Sequence, residues 1–281
     1  MTIGIVCDST ADLPGHLVKE YGIHIVPLKV HFGEEEYRDG VDITADEFYQ
    51  RLQASAALPT TSQPSPGEFV EAYRNLLEQG IDTIVSIHIS AHLSGTYRSA
   101  EVAKSMLLEA DIEVIDSRQA STVLGVVVLE AARAARAGKS KEEIIDLVNR
   151  LIEKIRVFFM VNTLEYLQKG GRIGKAQAFL GSMLNIKPIL TLENGIIVPA
   201  AKARGRAKGM EQLLTKMEAS IGTGGQRIMA IMHAANPEGM EELQKKAREK
   251  WQPREFVIAD IGPVIGTHVG PGTLALIGIC P

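Results

Sequence analysis

The segment IGIVCDSTADLP, residues 3–14, contains the pattern that decides the fold. Its apolar run ends in the polar residues Asp8, Ser9 and Thr10, which is typical of a buried strand that runs into a loop. Asp12 is a good N-cap residue, and Pro14 suits the first turn of a helix. The segment therefore predicts a strand, a polar loop and then a helix.

The same strand-and-helix unit recurs in the first half of the chain. TIVSIHIS (83–90) and IEVIDS (112–117) are β-rich runs that end in polar residues, and a helical pattern follows each. Strands that alternate with helices form parallel sheets with right-handed crossovers. Capping boxes mark three helix starts, at Thr44 with Glu47, Ser65 with Glu68, and Ser140 with Glu143. We predict a three-layer α/β domain with a largely parallel sheet over residues 1–156.

The pattern changes after residue 156. KPILTLENGIIVPAAKAR (187–204) predicts a hairpin that turns at Asn194 and Gly195, because Asn-Gly is a strong hairpin signal. Further short strands follow, separated by helical patterns. We predict an α+β domain with a mixed sheet over residues 157–281, and a cleft between the two domains.

Composition excludes several classes of protein. The 281 residues are 45% hydrophobic and 23% charged, with a formal net charge of −4, which disfavours a nucleic-acid-binding surface. Cys7 and Cys280 are too far apart in the chain to suggest a disulfide framework or a metal cluster. No apolar run reaches the ~20 residues of a spanning helix, and no basic region precedes the first apolar run. We therefore expect a cytoplasmic protein without an integral membrane segment.

Hydroxyl groups dominate the candidate binding segments. LPTTSQPSPGEF (58–69) holds Thr61 and Ser62 in a proline-stiffened loop that lacks histidine, cysteine and metal ligands. Ser94 and Gly95 fall where a helix begins, and free N–H groups at a helix start can bind an anion. The alternative is that Ser94 is only an N-cap.

Four other side chains suggest chemistry. Asp8 and Asp116 both end strands and could share a Mg²⁺ ion, or each could cap its own loop. His268 lies in DIGPVIGTHVGPG (260–272), a segment without helix or strand pattern, and either brings an imidazole to a ligand or is a surface turn residue. Arg172, in KGGRIG (169–174), could meet a carboxylate as a forked donor or be a solvated charge.

Eight motifs, in this order, resemble the DegV family along nearly the whole chain. They are DSTADLP (8–14), TTSQPSPGEF (60–69), SAHLSGTYRSA (90–100), IDSRQAS (115–121), LEYLQKGGRIG (164–174), KPIL (187–190), KARGRAKG (202–209) and GPVIGTHVGPG (262–272). The resemblance implies a non-catalytic, two-domain protein that binds one long-chain fatty acid between its domains and needs no other cofactor.

The resemblance also implies roles for particular residues. Thr61, Ser62 and Ser94 would hold the fatty-acid carboxylate, with His268 and Arg172 near the head group. Independently of the resemblance, Gly95 lacks a side chain and would let a ligand approach the backbone closely. Candidates for lining the tail are Phe159, Met160, Phe179, Met183, Leu184, Ile189 and Ile265; for each of them the alternative is an ordinary core position.

A protein partner is the last implication of the resemblance. Some members are the lipid-binding subunit of a bacterial fatty acid kinase, and they present the carboxylate to an ATP-binding subunit that forms an acyl phosphate for phospholipid synthesis. Arg204 and Arg206 would dock that subunit, or they form a solvated face. Two other functions stay open: a metal-dependent phosphotransferase or hydrolase that uses Asp8 and Asp116 on a small molecule, and a transcriptional regulator. The acidic charge balance weighs against the regulator.

Overall fold

The computed structural model describes residues 2–181, 186–223 and 228–279. The strands are β1 (Ile3–Asp8), β2 (His24–Val26), β3 (Lys29–Phe32), β4 (Glu35–Arg38), β5 (Thr60–Ser62), β6 (Thr83–His88), β7 (Asp111–Asp116), β8 (Ile155–Met160), β9 (Ile186–Glu193), β10 (Ile196–Arg204), β11 (Ile228–His233), β12 (Glu255–Asp260) and β13 (Leu274–Ile279). The helices are α1 (Gly15–Tyr21), α2 (Ala45–Ala54), α3 (Pro66–Glu78), α4 (Thr96–Ser105), α5 (Thr122–Arg136), α6 (Lys141–Lys154), α7 (Glu165–Lys169), α8 (Arg206–Ile221), α9 (Pro237–Trp251) and α10 (Pro263–Val269).

The N-terminal part is built on a parallel sheet with the strand order β2–β1–β6–β7. Side chains alternate between its faces, as in any strand. Val6 packs into a core with α3 and α4, whereas Ile5 and Cys7 pack into a second core with α5 and α6. Helices therefore cover both faces, and the predicted three-layer arrangement is confirmed.

The local helix signals were largely correct. All three predicted capping boxes form, at the starts of α2, α3 and α6. The prediction for Asp12 was wrong, because α1 begins after Pro14 and Asp12 instead closes the 3-10 turn Ser9–Ala11 with φ 46°. Its carboxylate accepts hydrogen bonds from the hydroxyl of Ser121 and from the backbone N–H of Gly262, the second at 3.1 Å. Asp12 thus joins three distant segments of the chain.

The C-terminal part contains a six-stranded mixed sheet in the order β10–β9–β8–β13–β11–β12. The β11–β12 pair is parallel and the other pairs are antiparallel. The predicted hairpin is confirmed, with Glu193 and Ile196 paired across the Asn194–Gly195 turn. The predicted division of the chain at residue 156 falls within the first two residues of β8 and stays a prediction.

Helix α5 lies between the two sheets. Residues 122–129 are all buried, so the first half of this helix is buried on every side, as expected for a helix inside a core. The hydrophobic core around α5 includes Ile5 of the parallel sheet and Ala275 of the mixed sheet. A Cβ atom at Gly125 would lie 2.3 Å from the carbonyl oxygen of Ala11, so only glycine permits this close packing. The two parts of the protein therefore share one core.

A small third sheet completes the structure, with the order β4–β3–β5 and antiparallel pairing. Thr61 pairs with Val30, and Ser62 pairs with Lys29. The segment predicted as a stiffened loop therefore contains a short strand at the edge of this sheet, and backbone pairing fixes both hydroxyl residues.

Candidate ligand-binding site

A cavity of about 350 Å³ lies where β5, α10 and the starts of α4 and α5 meet the inner face of the six-stranded sheet. Its volume is near the lower end of the ~300–1,000 Å³ typical of small-molecule sites. Apolar side chains come from every wall, among them Leu28, Val123, Val157, Phe159, Leu192 and Ile265. The predicted site residues Thr61, Ser62, Ser94, Arg172 and His268 also line it.

Separate hydrogen bonds hold these polar residues in place. Ser62 Oγ lies 2.8 Å from His31 Nε2. Thr61 Oγ1 and His268 Nε2 lie 2.9 Å apart. Arg172 Nε donates to the carbonyl oxygen of Leu93 at 3.1 Å, next to Ser94, and Arg172 Nη1 donates to the carbonyl oxygen of Gly170 at 2.7 Å. Arg172 is therefore a partly buried, hydrogen-bonded residue, and the alternative of a solvated charge was wrong.

His268 lies on α10, so the prediction that it occupies an irregular loop was wrong. Burial, with a further contribution from the positive charge of Arg172, lowers the pKa of His268 to about 4. The imidazole is therefore neutral at neutral pH. Its Nδ1 is buried and has no hydrogen-bond partner among the residues that the structure describes.

The close packing of His268 explains one glycine of the KGGRIG motif. A Cβ atom at Gly170 would lie 2.3 Å from His268 Nδ1. The backbone of Gly170 has φ −75°, which any residue adopts. Glycine is therefore needed at position 170 for space and not for conformation.

Ser94 lines the cavity and directly precedes Gly95, which is the N-cap residue of α4, so the prediction that Ser94 is the N-cap was wrong. Its Oγ accepts a hydrogen bond from the backbone N–H of Thr96 at 3.3 Å and lies 2.8 Å from Thr96 Oγ1. Gly95 is not among the lining residues, which corrects its assignment to the carboxylate site. The position of a Cβ atom on Gly95 is filled by the side-chain amide of Gln63.

The tail-lining predictions have mixed outcomes. Phe159 and Ile265 line the cavity. Met160 and Ile189 lie on the opposite face of the sheet, in the core formed with α8 and α9, so these two predictions were wrong. Phe179 is not a lining residue either and packs under Lys202, whose Nζ lies 4.4 Å from the ring centroid. Met183 and Leu184 lie outside the described residues.

Sequence reasoning missed several lining residues, including Val157, Val123 and Leu192. Strand alternation could have identified Val157, because residues two apart face the same side of a strand and Phe159 was already a candidate. No comparable pattern marks Val123 or Leu192. The predicted docking residues Arg204 and Arg206 are exposed and lie away from the cavity lining. Their role stays a prediction.

Asp8 and Asp116, the two acids of the alternative metal-site interpretation, each accept hydrogen bonds from protein groups. The carboxylate of Asp8 accepts the N–H of Thr10 at 3.1 Å, the N–H of Ile89 at 3.0 Å and the hydroxyl of Thr10. Asp116 accepts the N–H groups of Ala91 at 3.2 Å and Arg118 at 2.9 Å. Within the described ranges, no three His, Cys, Asp or Glu side chains form a group that could hold a metal ion. The structure agrees with the alternative in which each aspartate caps its own loop.

A hydrogen-bonded chain of Ser86, His88 and Asp8 has the order of a hydrolase triad. Ser86 Oγ lies 2.7 Å from His88 Nε2, and His88 Nδ1 lies 3.0 Å from Asp8 Oδ2. All three residues are 0% exposed, so no substrate reaches the serine. These hydrogen bonds satisfy the buried polar groups of the three side chains.

The described helices include none with the length and apolar character that a membrane crossing requires. Fold and site together define a class of protein: an α/β protein with a largely apolar cavity between a parallel sheet and a mixed sheet. The chain belongs to the DegV family. The family model, whose description reads "Uncharacterised protein, DegV family", matches residues 2–280, which confirms the resemblance found in the sequence.

Known proteins match the chain along its full length. Protein DegV of Bacillus subtilis is 38% identical over 281 residues, covering 100% of this chain and 99% of that protein. A fatty-acid-binding DegV family protein from Thermus thermophilus superposes with a TM-score of 0.94 at 38% identity and covers 100% of both chains. A stearic-acid-binding protein from Eubacterium ventriosum gives a TM-score of 0.93 at 33% identity, covering 100% of this chain and 98% of that one.

Proposed function

We propose that this protein binds a long-chain fatty acid, with the acyl chain in the cavity and the carboxylate at the Thr61 end. The proposal rests on one observation: a largely apolar cavity whose polar lining includes hydroxyls, one imidazole and one guanidinium. Such a lining matches a long apolar molecule with one acidic group. Structurally similar proteins from Thermus thermophilus and Eubacterium ventriosum are named for fatty acid and stearic acid binding, which supports the proposal.

The head-group contacts follow from the protonation of His268. A neutral imidazole has one N–H, and placing it on Nε2 lets it donate to Thr61 Oγ1. The Thr61 hydroxyl hydrogen is then available to donate to a carboxylate. The Ser94 hydroxyl is a second donor, and Arg172 supplies the positive charge. Hydrogen bonds to a charged group contribute ~1.5–3 kcal/mol each.

The acyl chain supplies most of the binding free energy. Each buried CH₂ group contributes ~0.8 kcal/mol, so a chain of ~16 carbons gains roughly 10 kcal/mol before entropy losses. Few polar contacts are needed for tight binding under these conditions. The polar group therefore serves mainly to select an acid and to fix its orientation.

The carboxylate end lies near the surface, which supports presentation to a partner. Gln63, beside the hydroxyls of Thr61 and Ser62, lines the cavity and is exposed, and both hydroxyl residues are partly exposed. We propose that an ATP-binding kinase subunit docks here and at Arg204 and Arg206. A carboxylate oxygen would then attack the γ-phosphorus of ATP, giving acyl phosphate and ADP. The present chain would contribute binding and orientation only.

Mass spectrometry of an organic extract of the purified protein tests the binding proposal. We expect about one long-chain fatty acid per chain, and a large loss of it in the Thr61→Val/Ser94→Ala double variant. A delipidated wild-type protein that binds no fatty acid would contradict the proposal. The kinase step is tested by adding ATP and the kinase subunit and trapping acyl phosphate with hydroxylamine. Acyl hydroxamate should form only when both proteins are present.

A further inference from the structure

The side chain of Gln63 lies directly on Gly95. A Cβ atom at Gly95 would lie 2.0 Å from Gln63 Oε1 and 2.6 Å from both Cδ and Nε2. Gly95 has φ −76° and ψ 4°, a conformation open to any residue. The backbone therefore does not require glycine at position 95, whereas the approach of the Gln63 amide does.

The same amide is bonded to the first turn of α4. Gln63 Nε2 donates to Ser99 Oγ at 2.9 Å, and Ser99 is buried. Gln63 directly follows Ser62 at the end of β5, and Gly95 directly follows Ser94. The Gln63 amide thus connects the segment that carries Thr61 and Ser62 to the segment that carries Ser94. The contact lies at the residue that follows each segment.

We propose that Gln63 is a positioning residue, which fixes the hydroxyls of Thr61 and Ser62 relative to Ser94 so that they converge on one acidic head group. This inference rests on the proposed fatty-acid function. Without the amide contact, the short edge strand β5 keeps its pairing to β3 but the hydrogen bond from Gln63 to Ser99 of α4 is lost. The head-group donors then lose their common geometry, while the apolar walls of the cavity stay unchanged.

The contact predicts an unusual relationship between two substitutions. The atoms nearest to a Cβ on Gly95 are the far end of a flexible side chain, so Gly95→Ala displaces the amide and leaves the backbone in place. Its cost to folding is small, yet the bond to Ser99 is lost. Gly95→Ala and Gln63→Ala should therefore have the same effect on binding, and the double variant should be no worse than either.

Affinities of delipidated variants for a fatty acid and for the fatty alcohol of the same chain length test the proposal. Gln63→Ala, Gly95→Ala and the double variant should each bind the acid roughly two- to tenfold more weakly, as expected for one hydrogen bond, with alcohol binding unchanged. Gly67→Ala is the matched control, because the nearest atom to its added Cβ is 3.8 Å away. Thermal unfolding should show all variants folded; Gln63→Ala adds no atoms and keeps the test valid if Gly95→Ala is unstable.

Four outcomes would overturn the positioning role. They are wild-type acid affinity in both single variants, additive losses in the double variant, equal losses for acid and alcohol, and a loss confined to Gln63→Ala, which would mean that the amide contacts the ligand itself. Wild-type protein that fails to bind the acid would instead overturn the proposed function, so the two failures are distinguishable.

Discussion

Thr61 and His268 are 207 positions apart in the chain, yet Thr61 Oγ1 and His268 Nε2 lie 2.9 Å apart at the polar end of the cavity. One residue belongs to the short edge strand β5 and the other to α10. The head-group end of the site therefore exists only when these two elements are packed together.

Thr61→Val tests the role of this hydroxyl, because valine keeps the shape of threonine and removes its hydrogen bond. Fatty-acid affinity should fall roughly tenfold or more, since a bond to a charged group is worth ~1.5–3 kcal/mol. Isothermal titration of delipidated protein measures it. Thr60→Val is the matched control, because Thr60 is exposed and does not line the cavity. Equal affinities of the two variants would contradict the assignment.

Gly170→Ala tests the packing that holds His268. The new methyl group would contact His268 Nδ1 and the carbonyl oxygen of Tyr166, so the imidazole must shift and its contact with Thr61 is disturbed. We expect weaker fatty-acid binding and some loss of stability. Gly15→Ala is the control, since no atom lies within 4 Å of its added Cβ. Unchanged affinity in Gly170→Ala would show that the position of His268 is not important for binding.

Much of the fold could be predicted because its signals are local. The capping boxes at Thr44, Ser65 and Ser140 and the Asn194–Gly195 turn each depend on a few neighbouring residues. Helix α10 was missed because seven residues with an internal glycine show no helical periodicity. Asp12 was misassigned because its partner Gly262 is 250 positions away.

Five predicted polar residues line the cavity, whereas most of its apolar wall was not predicted. The polar residues carry short motifs, whereas a lining residue and a core residue have the same side chains. Phe159 and Met160 are consecutive and both buried, but only the strand orientation decides which of them faces the cavity. Gln63 was missed because its role depends on a contact with Gly95 that no sequence pattern indicates.

Phe159→Ala and Met160→Ala test which face of the six-stranded sheet lines the cavity. Both should lower the free energy of unfolding by ~2–5 kcal/mol, the usual effect of deleting a large buried side chain. Only Phe159→Ala enlarges the ligand cavity, so it should shift binding toward longer fatty acids. Titration with saturated acids of increasing length measures this preference. An equal shift in Met160→Ala would contradict the structure.

The pH dependence of the free energy of unfolding should show that His268 is neutral in the folded protein. Its pKa is about 4 in the folded protein because of burial and the charge of Arg172, and the unfolded chain has the ordinary value near ~6.5. As pH falls from ~6.5 to ~4, the unfolded chain binds a proton that the folded protein does not, so stability falls by a few kcal/mol. His268→Gln should remove this part of the slope in denaturant titrations. Parallel profiles for the two proteins would contradict the shift.

Asp39 should make the stability of the fold decrease as pH rises, which is opposite to the effect of His268. Burial raises its pKa to about 7, helped by the negative charge of Asp8 and opposed by hydrogen bonds from Ser9 and from the N–H of Val264. A carboxyl whose pKa is raised on folding contributes fully below its unfolded value near ~4, and that contribution is lost as pH rises to ~7. Asp39→Asn keeps the side-chain shape and cannot ionise. Its stability relative to wild type should therefore increase between pH ~4 and ~7, by about 1.4 kcal/mol per unit of pKa difference.

Asp42→Asn provides the control for that measurement. Asp42 is an exposed acid whose pKa is lowered to about 2 by hydrogen bonds from Arg38, so it is ionised throughout the same pH range in the folded protein. Its replacement should leave the slope between pH ~5 and ~7 unchanged. If Asp39→Asn and Asp42→Asn give the same pH profile, Asp39 does not retain its proton in the fold. A charged Asp39 carboxylate would then have to accept the hydrogen bond from the N–H of Val264 at the start of α10.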